Sequence, residues 1–165
     1  YADIESVTPT EVTITKDTAY NHVFFSFTTD TAVQAEPQKD KWDMNFTTFT
    51  GEVFNNDGTS AGSYFLSDYI VINTKAGVTA FKAEGDAAAY EAFDLDALTA
   101  GNYQFTTDQR TIGDTWRSVF DRIAYQNVFY VVKDTEGNIY KIKFISMLGS
   151  NGHRGFPLFQ YALVK

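Results

Sequence analysis

The amino-acid sequence predicts an all-β fold of mainly antiparallel strands with one or two short helices. The first observation behind this prediction is composition: 15 Phe, 10 Tyr and 2 Trp make 16% of the chain aromatic, and aromatic and β-branched side chains favour pleated surfaces. The second is a period-two alternation of apolar and polar residues in segments that Asn, Asp and Gly residues separate. A chain of 165 residues can bury a sizeable core, so we expect a single domain over residues 1–165.

The N-terminal region is predicted to contain strands and connections in alternation. Residues 10–29 are interpreted as two strands joined by a polar turn at residues 16–18, and residues 30–41 as a surface connection. Residues 42–49 form the next predicted strand. Its alternation slips at Thr47-Thr48, where we expect a β-bulge.

The middle of the chain changes in character after a strong turn signal at residues 55–58, Asn-Asn-Asp-Gly. Residues 64–73 are predicted to be a strand, and residues 75–84 a further short strand. Residues 85–102 carry six Ala with spaced apolar residues and end in Gly-Asn, so we expect short helical turns there. Residues 103–117 are mostly polar and are left without a predicted element.

The last 40 residues give the clearest pattern. Residues 127–132 and 139–147 alternate as two strands around a Gly-containing turn, which predicts a β-hairpin. A second turn is expected at residues 148–155. Residues 156–164 then close the chain as a final antiparallel strand.

Charge and residue inventory exclude several classes of function. The net charge of −8, from 13 basic and 21 acidic residues, repels phosphate backbones and anionic lipid headgroups, so nucleic-acid binding is a poor fit. The chain has no Cys, which excludes disulfides, thiolate metal sites and cysteine nucleophiles from it. It has no apolar run of 18 residues, and because it starts at Tyr1 we expect any signal or lipid-anchor segment to lie upstream.

Signatures of catalysis are also missing from the sequence. No G-x-S-x-G elbow or Gly-rich phosphate loop occurs, and the two His residues have no convincing triad partner. The prediction is therefore that the protein is not an enzyme. An acid-dependent hydrolase is the weakest alternative, since no nucleophile or metal constellation supports it.

Three blocks of sequence, in this order and spacing, carry a resemblance to a known family. They are KWDMNF at Lys41–Phe46, IVIN at Ile70–Asn73, and the terminal block at residues 127–164, which has a Gly turn and ends in a strand containing Phe159-Gln160-Tyr161. Together they resemble the HmuY-like haem-binding lipoproteins of anaerobic Gram-negative bacteria.

This resemblance implies an HmuY-like β domain with a pair of helices, in which loops at one end clamp a haem between axial ligands. It further implies an extracytoplasmic lipoprotein that is anchored to the outer membrane or secreted. The implied role is haem acquisition, in which haem passes to a TonB-dependent outer-membrane receptor. The expected cofactor is therefore haem.

Candidate haem ligands follow from the donors that haem iron accepts: imidazole, thioether, thiolate or phenolate. The family holds iron with paired His or paired Met residues, but between Asn45 and Met147 the chain has no His, Met or Cys. The candidates are therefore Met147 and His153 near the last turn, and Tyr90 and Tyr103 beside the helical segment. Each has a simpler reading, as a packed aromatic ring, a core Met or an exposed loop His.

A porphyrin also carries two propionates, for which Lys82, Arg110 and Arg117 are the predicted contacts. The alternative function is a non-catalytic surface module of the same fold that binds another apolar ligand, a glycan or a protein. In that case Tyr64, Tyr69 and Phe81 are expected to form an exposed contact patch.

Overall fold

A computed structural model describes residues 8–165, and its contacts divide the chain into two units. The first unit ends at Lys41. It contains strands β1 (Phe24–Ser26) and β2 (Thr31–Val33), which pair antiparallel. The described part of this unit has no buried residue.

The prediction of a strand before the turn at 16–18 is wrong, because residues 8–23 contain no strand. The prediction that residues 30–41 are only a connection is also wrong, since β2 lies there. Alternating residues become a strand only where a neighbouring strand supplies hydrogen bonds. The pattern at Val12 and Ile14 has no such partner in the described chain, and both side chains are exposed.

The second unit, Trp42–Lys165, contains the remaining elements. In chain order these are β3 (Met44–Phe54), β4 (Ser60–Ile72), a 3-10 turn (Thr74–Ala76), β5 (Thr79–Glu84), α1 (Ala87–Ala92), α2 (Leu95–Ala100), β6 (Arg117–Ser118), β7 (Ile123–Ala124), β8 (Val128–Lys133), β9 (Ile139–Leu148) and β10 (Arg154–Leu163). The prediction of an all-β fold with one or two short helices is confirmed, and the structure has two.

The strands of this unit pair antiparallel throughout. β10, β9, β8 and β5 form a four-stranded sheet in that order, while β3 and β4 form a long hairpin. The register of the hairpin shifts between Thr47 and Phe49, which confirms the predicted bulge. The predicted C-terminal hairpin and final strand are confirmed as β8, β9 and β10.

Two apolar clusters cover the two faces of the four-stranded sheet, because successive side chains of a strand point to opposite sides. Tyr130 and Phe144 face one cluster, which also contains Ile70 and Ile72 of β4 and the indole of Trp116. The other cluster packs the helices over the second face of the sheet. Its buried residues are Phe81, Ala83, Tyr90, Phe93, Phe129, Val131 and Val164.

The helices begin where an aspartate can cap them. The carboxylates of Asp86 and Asp94 accept from the amides of Ala89 and Ala97, at 2.9 and 2.8 Å, which satisfies donors that the first helical turn leaves free. Within residues 8–165, neither helix has the length and apolar character that crossing a membrane requires.

Candidate functional site

Two hairpin turns of the second unit border a hollow of about 660 Å³ that is shallow and widely open to solvent. One turn joins β6 to β7 and the other joins β9 to β10. The side chains that line the hollow combine an imidazole, two guanidinium groups and one apolar residue with smaller polar groups: Asp121, Arg122, Leu148, Asn151, Gly152, His153 and Arg154.

The turn between β9 and β10 presents the imidazole. Gly149 donates its amide to the carbonyl of His153 at 2.9 Å, and the amide of His153 donates to Oδ1 of Asn151 at 3.1 Å. Gly152 has φ 76°, a left-handed conformation that glycine adopts without a steric cost. These bonds fix the backbone of His153, while its side chain is exposed.

The turn between β6 and β7 supplies a cation and an apolar ring. Oγ of Ser118 accepts from the amide of Asp121 at 3.1 Å and donates to its carboxylate at 2.6 Å. Arg122 has φ 60° and donates from Nη2 to the carbonyl of Gly152 at 2.5 Å, so this residue ties the two turns together. Phe120, in the same turn, is 95% exposed, which leaves a large apolar ring free for contact.

The second guanidinium is already paired. Arg154 donates to the carboxylate of Asp68 and, from Nη2, to Oγ of Ser67 at 2.7 Å. Trp116 Nε1 donates to the carbonyl of Asp68 at 3.1 Å, and Arg117 Nη2 donates to the carbonyl of Ser67. Within the described residues Arg122 forms no ion pair, so it is the guanidinium of the hollow whose charge no carboxylate neutralises, although Nη2 is hydrogen-bonded to Gly152.

The four predicted ligand residues do not meet at one place. Tyr90 is 2% exposed and Met147 is 1% exposed, in clusters on opposite faces of the sheet. Burial raises the pKa of Tyr90, which disfavours the phenolate that haem iron would need. Tyr103 is part-exposed but stacks on Phe81 with 4.7 Å between ring centroids. His153 therefore combines exposure with a position in a hollow.

The three predicted propionate contacts are also separated. Lys82 is exposed on β5, and Arg110 donates to Asp108 from Nε and Nη2 at 3.0 and 2.9 Å. Arg117 is buried, and burial lowers its pKa. Its Nη2 donates to the carbonyl of Ser67 and its Nε has no partner within the described chain, so its guanidinium lies in the interior and is not available to a guest at the surface.

The predicted contact patch is wrong. Tyr64 is exposed, but Tyr69 and Phe81 are each 5% exposed. Tyr69 stacks on Phe49 at 4.6 Å between ring centroids, and Phe81 belongs to the cluster beneath the helices. The alternation pattern of a strand does not show whether a second layer covers its aromatic side chains. The sequence alone therefore could not distinguish a buried Tyr or Phe from an exposed one.

Sequence reasoning missed Arg122 and Phe120. They lie in the hairpin of β6 and β7, whose strands have two residues each, too few for a period-two signal. From the sequence alone, this segment shows only an Arg near apolar residues, and their exposure is known only from the structure. Among the described residues no group of three or more His, Asp or Glu side chains forms a metal site.

The donors of the hollow fit a haem held through one axial imidazole. His is an ordinary haem-iron ligand, and a guanidinium matches a carboxylate such as a propionate. Of the seven residues that line this hollow, His153 is the one with a side chain of the kind that binds haem iron.

Comparison with known proteins agrees with the resemblance carried by the sequence. The model of the HmuY protein family matches residues 18–161, which is most of the chain. Neither the comparison with curated proteins nor the comparison with solved structures finds a match.

Proposed function

We propose, because this chain belongs to the HmuY protein family, that it is a non-catalytic haem- or porphyrin-binding protein of the haemophore type. The observation that supports this most directly is the hollow of about 660 Å³ that places the exposed imidazole of His153 beside Arg122. An imidazole and an unpaired guanidinium at one surface site match the iron and a propionate of a haem.

Three residues of the hollow and one residue of the adjoining turn have distinct roles in this proposal. The imidazole of His153 would hold the iron, and the guanidinium of Arg122 would neutralise a propionate. Leu148, in the hollow, and Phe120, exposed in the turn between β6 and β7, would contact the porphyrin. Haem, when bound, supplies a redox-active iron in a porphyrin that absorbs strongly in the Soret band.

Apart from His153, Tyr103 is the one predicted ligand whose side chain is exposed. Tyr90, Met147 and Arg117 would have to leave the core to meet a guest, which costs the burial free energy of each side chain. We therefore assign the binding role to His153 and treat those three residues as structural.

Family membership also supports the biological setting that we propose. The protein acts outside the cytoplasm, either anchored to the outer membrane as a lipoprotein or secreted. It acquires haem and passes it to a TonB-dependent outer-membrane receptor.

A haemin titration at neutral pH tests the proposal, with spectra recorded on oxidised and reduced samples. The chain has two His residues, which gives a matched pair of variants. Wild-type protein and His22→Ala are expected to shift the Soret band with a stoichiometry of one. His153→Ala is expected to lose the shift. No spectral change in the wild type up to about 50 µM haemin, or equal binding by His153→Ala, would overturn the assignment.

A further inference from the structure

A second cleft lies within the unit Trp42–Lys165, between the start of β3 and the face of the sheet formed by β8, β9 and β10. Its volume is about 480 Å³. Most of the side chains that line it are aromatic or aliphatic, and two are carboxylates: Trp42, Asp43, Met44, Phe46, Val132, Asp134, Tyr140, Ile142, Phe159 and Tyr161.

The aromatic rings form a continuous wall. Phe46 stacks on Phe159 at 5.6 Å between centroids, Phe159 lies 6.3 Å from Tyr161, and Tyr161 meets Tyr140 edge-on at 6.1 Å. Tyr161 is 66% exposed, so part of this wall faces solvent. Ring faces carry negative electrostatic potential and attract cations.

The charged groups of the cleft share one sign. The carboxylate of Asp134 accepts from the amides of Glu136 and Asn138, at 2.9 and 2.8 Å, and thereby closes the turn between β8 and β9. Asp43 forms no ion pair within the described chain. Burial, followed by the charges of Asp134 and Glu136, raises its pKa. None of the residues that line the cleft is Lys, Arg or His.

We propose that this cleft binds an organic cation of the quaternary ammonium class, with its alkyl groups against the rings of Tyr161 and Phe159 and its charge opposite Asp43. A cation interacts favourably with both the ring faces and the uncompensated carboxylate. An anion such as haem meets two carboxylates here and no cation. A neutral sugar stacks on the rings but leaves the charge of Asp43 uncompensated.

The test compares two probes of the same shape and different charge, choline and its neutral carbon analogue 3,3-dimethylbutan-1-ol. Binding is measured by calorimetry and by the fluorescence of Trp42, which lines the cleft, whereas Trp116 is buried. Choline is expected to bind about 10-fold more tightly than the alcohol, because only the charged probe gains the cation–π and carboxylate interactions.

Two variants and two matched controls locate the site. Tyr161→Ala and Asp43→Asn are each expected to weaken choline binding about 5-fold or more. Tyr64→Ala removes another exposed Tyr, and Glu52→Gln removes an exposed carboxylate of β3; both lie on the hairpin of β3 and β4. Neither control is expected to change the affinity for choline.

Equal affinity for both probes, absence of choline binding, or binding of methyl β-glucoside in place of choline would each overturn the proposal. The haemin titration depends on His153, which does not line this cleft. Failure of one proposal therefore leaves the other intact. If Tyr161→Ala abolished haemin binding, the result would count against both the haem site and the cation site as assigned.

Discussion

Arg154 donates two hydrogen bonds to a single carboxylate oxygen of Asp68, from Nε at 2.9 Å and from Nη2 at 2.5 Å. The pair joins the first residue of β10 to a bend of β4, where Asp68 has φ 52°. It therefore holds the residue that follows His153 against a distant part of the chain. The hollow depends on a long-range contact as much as on its own turns.

Loss of this carboxylate is expected to destabilise the fold. Asp68→Asn keeps a residue type that tolerates positive φ but leaves the partly buried Arg154 without its counter-charge. We expect a loss of about 1–3 kcal/mol in the free energy of unfolding. Urea denaturation of the wild type and the variant measures this loss in the free energy of unfolding. Asp108→Asn, which breaks the exposed pair with Arg110, is the control and should cost under about 1 kcal/mol; equal losses would contradict the prediction.

The guanidinium of Arg122 is expected to contribute to haem affinity. Arg122→Gln removes the charge that we propose to face a propionate, so the Kd for haemin should rise about 5- to 10-fold. Arg110→Gln removes an exposed guanidinium outside the hollow and should leave the Kd unchanged. If the two variants bind haemin equally well, Arg122 has no role in binding.

Lys141 stabilises the end of α1 from the neighbouring strand. Its Nζ donates to the carbonyls of Glu91 and Phe93, at 2.8 and 2.9 Å, and lies 5.1 Å from the ring centre of Tyr90. Lys141→Met leaves two carbonyls without a donor and should cost about 2 kcal/mol of unfolding free energy. Lys82→Met, at an exposed strand position, should change it by less than about 0.5 kcal/mol, and thermal melts of both variants provide the comparison.

Met147 is expected to act through packing. Met147→Leu conserves volume and should cost less than about 1.5 kcal/mol, whereas Met147→Ala should cost about 2–5 kcal/mol. The haemin spectrum of Met147→Leu should match that of the wild type. A Soret band altered as in His153→Ala would instead identify Met147 as an iron ligand.

Asp43 is expected to make stability depend on pH. Its pKa is raised in the folded protein, so the folded state holds this proton more tightly than the unfolded state, and stability falls as pH rises through the window between the two values. Asp43→Asn should therefore raise the unfolding free energy at pH 7, on the order of 0.5 kcal/mol for a side chain partly in water, and should have no effect well below the ordinary pKa of Asp. A gain that persists at low pH would contradict this, and Glu52→Gln serves as the control.

Strand content and the terminal hairpins could be predicted because their determinants are local. Tyr130 and Phe144 alternate with residues of the opposite face, and turn residues mark where each strand ends. The same local rules predicted the bulge at Thr47-Thr48 and short helical turns within residues 85–102, where α1 and α2 lie. These rules failed at Val12 and Ile14, because the alternating pattern is present there but no neighbouring strand pairs with it in the described chain.

The candidate site could be predicted only in part. His153 was one of four candidate ligands that the sequence offered, chosen for its residue type and its position in a turn, and its role in binding stays a prediction. Arg122 was missed because a hairpin with two-residue strands has no periodic signature, and Tyr69 and Phe81 were expected at the surface although Phe49 and the helical layer cover them. The residue type indicates what a side chain could bind. Burial in the folded protein decides whether that side chain is accessible to a ligand.

The chain by itself therefore determined the β class, the order of the C-terminal strands and the family, since alternation, turn residues and motif order are properties of neighbours in sequence. Tertiary structure decided which donors remain accessible. Met147 and His153 are six positions apart in one hairpin, yet Met147 belongs with Trp116 to a buried core cluster, whereas His153 lines an open hollow. That difference arises because segments distant in sequence cover one residue and leave the other in water.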